Sequence, residues 1–430
     1  MEFKEYKYSE IGKIKSGKRL PKGYAVIEEE TDNKYIRVRD ITNNSINYNE
    51  VKYITDEAAQ QIKKYKVKTG DIIISVVGTV GAICEIPNEL NEAYLTENCD
   101  NLLVNEDVCL KKYLKYFLIS KDGQEQIKSN TVGSNQPKLP IYGIENFDIK
   151  VPTIKEQRKI LCILDNIDKK IELNNQINNN LYNISQALFK KWFIDFEFPN
   201  SEGKEYKTHN GKFYNSDIGE IPIGWKINRL DEVADCQNGN AFYKDGYDEN
   251  GIMVVDLGNV DINGSFIYTN ADKYISEKRL QENLKYDKYL LKKDDLVMVM
   301  TDRKATMDLL GKTGKIYEDR QYLLNQRMYR IRSKINVNYL YTYLNNDRTL
   351  NQLKSKALGS VQKYVNTGHI NELKLVIGTD EVMQKFSSIV NPIFERIENN
   401  ILENGNLQKL RDILLPKLMN GEIDLENIEI

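Results

Sequence analysis

The sequence predicts an α+β protein in which two similar globular domains are each followed by a long coiled-coil helix. Three observations predict it. The stretch VGSNQPKLPIYGIENFDIKVP at 132–152 is echoed at 358–378 by LGSVQKYVNTGHINELKLVIG, a shift of 226 positions. A segment of helical period follows each copy, and asparagines interrupt the two apolar seams at matched places. Finally, 430 residues exceed what one hydrophobic core ordinarily organises.

The first domain is read as residues 1–152. KYIRVRDI (34–41), DIIISVVG (71–78) and NLLVNE (101–106) are predicted strands by β-branched content and flanking turn residues. DEAAQQIKKY (56–65) and CLKKYLKYFLISKDGQEQIKS (109–129) are predicted helices. The repeat then places Gly133 on Gly359, Ser134 on Ser360, Gln136 on Gln362 and Ile144 on Ile370.

Residues 153–198 change character. They contain neither glycine nor proline, and Ile160, Leu164, Ile167, Ile171, Leu181, Leu188 and Trp192 recur at steps that place them on one helix face. Asn174 and Asn178 sit mid-seam. At 1.5 Å per residue, a helix of about 40 residues runs roughly 60 Å. A polar connector is placed at 199–218 and a second domain at 219–378, where WKINRLDEVADCQNG echoes YKYSEIGKIKSG with Trp225 on Tyr6, Leu230 on Ile11 and Val233 on Ile14.

The second helix and tail occupy 379–430. Adding 226 to the first seam gives Phe386, Val390, Ile393, Ile397, Asn400, Asn404, Leu407, Leu414 and Leu418, so both asparagines are reproduced. A buried asparagine in an apolar seam costs stability but selects partner and register. The two helices are therefore expected to pack on each other. The pattern alone permits either parallel or antiparallel pairing.

Composition excludes several classes. The chain is 40% hydrophobic and 29% charged, with no apolar run long enough for a membrane span. MEFKEYKYSEIG lacks a signal-peptide core, so a cytoplasmic location is expected. Cys84, Cys99, Cys109, Cys162 and Cys236 are scattered and read as reduced thiols. A net charge of −2 neither advertises nor excludes nucleic-acid binding, which depends on a local basic face. KIKSGKRLPK and RMYRIRSK are the dense basic clusters, and taken alone each reads as a solvated loop or strand edge.

No catalytic constellation emerges. His209 and His369 lie far from any matched serine or cysteine pattern. LLGKTGK (309–315) has Thr306 where a phosphate-binding loop needs its first glycine. EGK and EYK (202–207) imitate a nuclease carboxylate–lysine pair but sit in a flexible connector. No cofactor or metal is expected in this chain.

ALFKKWFIDFEFPN, GEIPIGWKINRLDEVADCQNG and LRDILLPKLMNGEIDL closely resemble the specificity (S) subunits of type I restriction-modification systems, and the resemblance spans the chain. It implies that each globular domain is a target-recognition domain for one half of a bipartite double-stranded DNA site. The long helices would form an antiparallel coiled coil separating the domains and docking two methyltransferase (M) subunits. Those partners would bind S-adenosylmethionine and methylate adenine N6, while restriction (R) subunits bring ATP and Mg. A rod up to roughly 60 Å long would set half-sites one to two DNA turns apart.

On that resemblance, Lys18 and Arg19 are candidate contacts in the first half. Arg303 and Lys304, with Tyr243 and Lys244, are their counterparts in the second. The repeated loop adds Gln136 and Gln362 as candidates for adenine edges and Lys138 and Lys363 for phosphate. Two other readings remain: the specificity subunit of a fused restriction-methylation system, and a structural adaptor whose domains grip proteins.

Overall fold

The computed structural model describes residues 1–42, 44–46, 51–242, 246–269, 272–302, 306–318, 322–360 and 362–425. The chain divides into two compact units, Met1–Glu172 with Glu403–Ile430, and Leu173–Leu402. Each unit thus takes its globular part plus one segment from each long helix.

The first unit is built on a four-stranded antiparallel sheet in the order Gly12–Ser16, Cys99–Val104, Ile72–Ser75, Ile83–Glu85. Of its two inner strands, Ile72–Ser75 is apolar through its first three residues because both faces are covered. Ile72 and Ile74 enter the core shared with the helices, while Ile73 enters a second core containing Ile36, Ile86 and Leu95. A three-stranded sheet runs Lys52–Tyr53, Lys34–Ile36, Tyr94–Leu95, the last two being parallel.

The second unit repeats this frame. Its sheet runs Ala234–Asn238, Met328–Ser333, Leu296–Val299, Thr313–Lys315, again antiparallel throughout. Leu296 and Met298 face one core, Val297 and Val299 the other. Ile252–Val255 pairs in parallel with Tyr322–Leu324, as Lys34–Ile36 does with Tyr94–Leu95.

Strand pairing corrects the predicted alignment at the start of each domain. Lys4–Lys7 pairs with Asp148–Val151 and Lys226–Arg229 with Lys374–Ile377, which puts Lys4 on Lys226. The shift there is 222, so Tyr8 lies on Leu230 and Ile11 on Val233, three residues from the sequence-based match. Apolar residues three apart in a one-turn helix fit either alignment; only the ladder separates them.

Two predicted elements are also broken. In KYIRVRDI the strand stops at Ile36 and Val38–Asp40 forms a 3-10 turn. The Asp40 carboxylate closes it, accepting from the Arg37 backbone N–H at 2.8 Å and from the Arg37 guanidinium at 2.7 Å. The 109–129 segment is two helices, Lys111–Ile119 and Lys121–Ser129. Ser120 is extended at the junction, and its hydroxyl caps the second helix by accepting from the Gly123 N–H.

The long helices are Ile154–Phe189, ending in a π-turn at Lys190–Ile194, and Asp380–Met419. Thr153 and Glu156 form a reciprocal cap at the start of the first. Within the first unit, Lys170 bonds Glu403 at 3.2 Å and Asp168 bonds Arg411 at 3.1 Å, while Ile160 and Leu164 share a core with Leu415 and Leu418. Numbering rises along one helix as it falls along the other, so the segments are antiparallel. The second unit shows the same sense: Asn178 meets Asn400 at 2.8 Å, and the Phe189 and Phe386 rings are 6.4 Å apart.

The seam steps by threes and fours through Gln157, Ile160, Leu164, Ile167, Ile171, Asn174, Asn178, Leu181, Ser185, Leu188 and Trp192. Ile160, Leu164, Ile167, Asn174 and Ser185 are buried, while Ile171, Asn178, Leu181 and Leu188 are half-buried. On the second helix, Val390, Ile397, Asn400 and Asn404 are buried and Ile393, Leu407 and Leu414 half-buried. No helix among the described residues is long and apolar enough to cross a membrane.

Candidate nucleic-acid interface

The first unit carries an open cleft of about 620 Å³ where the two sheets and the repeated loop converge. Arg19, Arg37, Arg39, Glu97, Asn98 and Gln136 are among its polar lining residues. The backbone explains the convergence. The Gly17 N–H donates to Cys99 O and the Lys18 N–H to Leu95 O, while Tyr35 Oη donates to Lys18 O at 2.8 Å. These bonds pin the 17–19 segment to both strands flanking the cleft. A β-carbon on Gly17 would stand 1.9 Å from Thr96 O, so no other residue fits this approach.

Arg19 is exposed and bonds Glu97 at 2.6 Å. Hydrogen bonding to Glu97 holds the guanidinium above its ordinary pKa. Burial pushes the Glu97 carboxyl up, but hydrogen bonds from Arg19, Thr96 and its own backbone outweigh that and hold it below the ordinary range. Arg37 is fixed by Asp40, whose side chain is 1% exposed. Arg39 is exposed. Lys18 is exposed too, its ammonium 5.8 Å from the Tyr65 ring, and Lys18 does not line the cleft.

The repeated loop is a closed hairpin in both units. Val132 and Lys138 exchange backbone bonds, and so do Leu358 and Tyr364, 226 positions on. Gly133 and Gly359 have φ of +89° and +91°, a left-handed conformation glycine adopts freely. Leu139 bonds back to Val76 and Val365 to Met300, which fastens each hairpin beside its central strand. Gln136 is exposed and reaches the cleft. Lys138 is exposed, and its charge offsets part of the upward push that burial exerts on the Asp100 carboxyl. Gln362 and Lys363 are half-buried, with Lys363 opposite Asp302. Tyr243, Lys244, Arg303 and Lys304 lie outside the described residues.

The second unit repeats the backbone bonds of this frame, although Val254 stands where Tyr35 donates to Lys18 O in the first. The Gly239 N–H donates to Met328 O and the Asn240 N–H to Leu324 O, and a β-carbon on Gly239 would stand 1.8 Å from Asn325 O. Asn259 closes the turn at Leu257–Asn259 by accepting from the Asp256 N–H at 3.0 Å, as Asp40 does in the first unit. The side chains on this frame differ. By strand register, Arg19, Arg37, Arg39, Glu97 and Asn98 correspond to Ala241, Asp256, Gly258, Gln326 and Arg327. Three arginines and a glutamate become one arginine and one aspartate, and that Asp256 is ion-paired to Lys273.

Sequence reading missed Arg37 and Arg39, since RVRD looked like a strand; basic residues two apart beside an aspartate were the available signal. The RMYRIRSK cluster is spent largely on internal pairing. Arg332 bonds the buried Asp295 at 2.7 and 2.8 Å, and Lys334 pairs with Asp235. Among the described residues no group of histidine, cysteine or acidic side chains could hold a metal.

A duplicated frame carrying different polar side chains defines a class: a two-module protein whose modules share a scaffold and differ in the side chains they present. Comparison with known proteins gives the family. The family described as Type I restriction modification DNA specificity domain matches twice, at residues 1–183 and 222–405, and the chain belongs to it. It is 28% identical over 381 residues to the type I restriction enzyme MjaIX specificity subunit of Methanocaldococcus jannaschii, covering 87% of this chain and 82% of that protein. It is 24% identical over 443 residues to the HindI specificity subunit of Haemophilus influenzae, covering 90% and 94%. Among solved structures it is similar to the type I S subunit from M. genitalium, with a TM-score of 0.48 and 16% identity over 97% of this chain and 96% of that one.

Proposed function

We propose that this chain is the DNA-specificity subunit of a type I restriction-modification complex, each unit reading one half of a bipartite duplex site. The observation that carries this reading is the pairing of matched frames with unmatched clefts. Two readers of unlike half-sites need one docking geometry and two sets of contact residues, and the backbone bonds repeat while Arg19, Arg37 and Arg39 give way to Ala241, Asp256 and Gly258. Phosphate contacts hold a reader in register, and base edges met by side chains supply the sequence.

The long helices dock two methyltransferase subunits. Paired exposed apolar positions support two equivalent sites: Ile184 is 54% exposed and Leu410, 226 positions later, is 45% exposed. The partners bind S-adenosylmethionine and methylate adenine N6. Restriction subunits use ATP and Mg, and this chain, non-catalytic and cytoplasmic, binds neither. Co-expression with candidate methyltransferase subunits, followed by gel shift on genomic fragments, tests the proposal. Two methyltransferase copies per chain and selective fragment binding are expected. Capture of one protein bearing both nuclease and methyltransferase activity would instead mark a fused system, and binding without sequence preference would mark an adaptor.

A further inference from the structure

The 3-10 turn after the parallel strand pair changes the sign of its charge between the two clefts. In the first unit it reads Arg37-Val38-Arg39-Asp40, and in the second Asp256-Leu257-Gly258-Asn259. The turns have the same backbone closure, since residue 40 or 259 accepts from the N–H three positions earlier. The side-chain difference is therefore not a by-product of a different fold.

We infer that Arg39 is a specificity-determining residue that reads a guanine in the half-site of the first unit, and that the Arg37–Asp40 pair is its positioning device. This rests on the proposed DNA-reading role and deepens it. Three features converge on Arg39. It lines the open cleft together with Asn98 and Gln136, whose amides match base edges. It is exposed, and no hydrogen bond or ion pair engages its guanidinium among the described residues, whereas Arg19 is held by Glu97 and Arg37 by Asp40. Its turn is rigid, because the buried Asp40 carboxylate binds both backbone and guanidinium of Arg37.

An arginine so presented offers two parallel N–H donors, the complement of guanine O6 and N7 in the major groove. Gly258 has no side chain, so the second unit cannot read through this position. This turn thereby contributes one difference between the two half-sites, beside those at Arg19, Glu97 and Asn98.

The test uses the complex of this chain with its co-purified methyltransferase subunits, comparing wild type with Arg39→Ala and Arg39→Lys. The probe is a duplex library with each half-site randomised in turn. For Arg39→Ala, preference for guanine at one position of one half-site should fall by about 5- to 150-fold, with the other half-site unchanged. Arg39→Lys should retain part of the preference, because lysine can donate to guanine but lacks the fork. An equal loss on every sequence, with the salt slope smaller by about 1, would make Arg39 a phosphate anchor and overturn the inference. Unchanged selectivity would overturn it too. A wild-type complex with no preference in either half-site would overturn the underlying DNA-reading role as well, so the two failures are distinguishable.

Discussion

Replacing Asn400 with alanine removes the donor of the 2.8 Å bond to Asn178 Oδ1 in the helix seam of the second unit. Asn400 is 1% exposed, while Asn178 is half-buried and can recover a water partner. The loss therefore falls at the low end of the range for an orphaned polar group, about 1 kcal/mol. Replacing both residues with leucine has the opposite sense, since both partners of the bond are removed together and apolar area is gained. Native-state hydrogen exchange of the amides in 174–182 and 396–404 reads the local opening free energy directly. Asn400→Ala should speed exchange there about fivefold, whereas Asn178→Leu/Asn400→Leu should exchange no faster than wild type. A double variant losing the sum of the two single losses would show that the pair contributes nothing as a pair. The bond would then not be what settles register.

Three further outcomes follow from the same geometry. Glu97→Gln removes the carboxylate that engages Arg19, so affinity for all DNA should rise and the salt slope of binding steepen by about 1; titrations at several salt concentrations check it. Burial pushes the Asp71 carboxyl up, but hydrogen bonds from the Lys68 amide, Lys111 and Asn101 outweigh it and hold the group below its ordinary value. The folded state then binds fewer protons than the unfolded one, so this stability is present above the ordinary aspartate range and lost as pH falls through the lowered value; urea midpoints against pH should flatten on the acid side in Asp71→Asn. Ile184→Glu and Leu410→Glu should change stability by no more than about 0.5 kcal/mol, since both are exposed, yet each should cut bound methyltransferase from two copies to one, as mass photometry would show.

The duplicated architecture was legible because burial along a single strip imposes a heptad period, and Asn174/Asn178 and Asn400/Asn404 interrupt that period at the same register. Ser185 and Arg411 were not legible as seam residues. Each stands on the seam as a polar side chain, and Arg411 is paired with Asp168 across from it and with Asp412 beside it. Short elements were the weak point. KYIRVRDI alternates like a strand, and nothing local announces that Asp40 will close a turn on Arg37. The cleft itself was invisible for a related reason: Arg19 and Arg39 meet only through the parallel pairing of Tyr35 with Tyr94 and the bond from Tyr35 to Lys18, contacts between segments distant in sequence. Gln136, which lines the cleft, could be singled out because its loop repeats, which is a property of sequence, whereas the arginines that differ between the clefts leave no repeat to follow.

The account stands on two unlike half-sites being read by one chain. Mapping N6-methyladenine across the host genome, with and without this gene, measures that directly. The expected result is a single interrupted motif, unlike on its two sides, whose methylation disappears when the gene is removed. A methylation pattern unchanged by the deletion, or one lost motif with no gap, would contradict it.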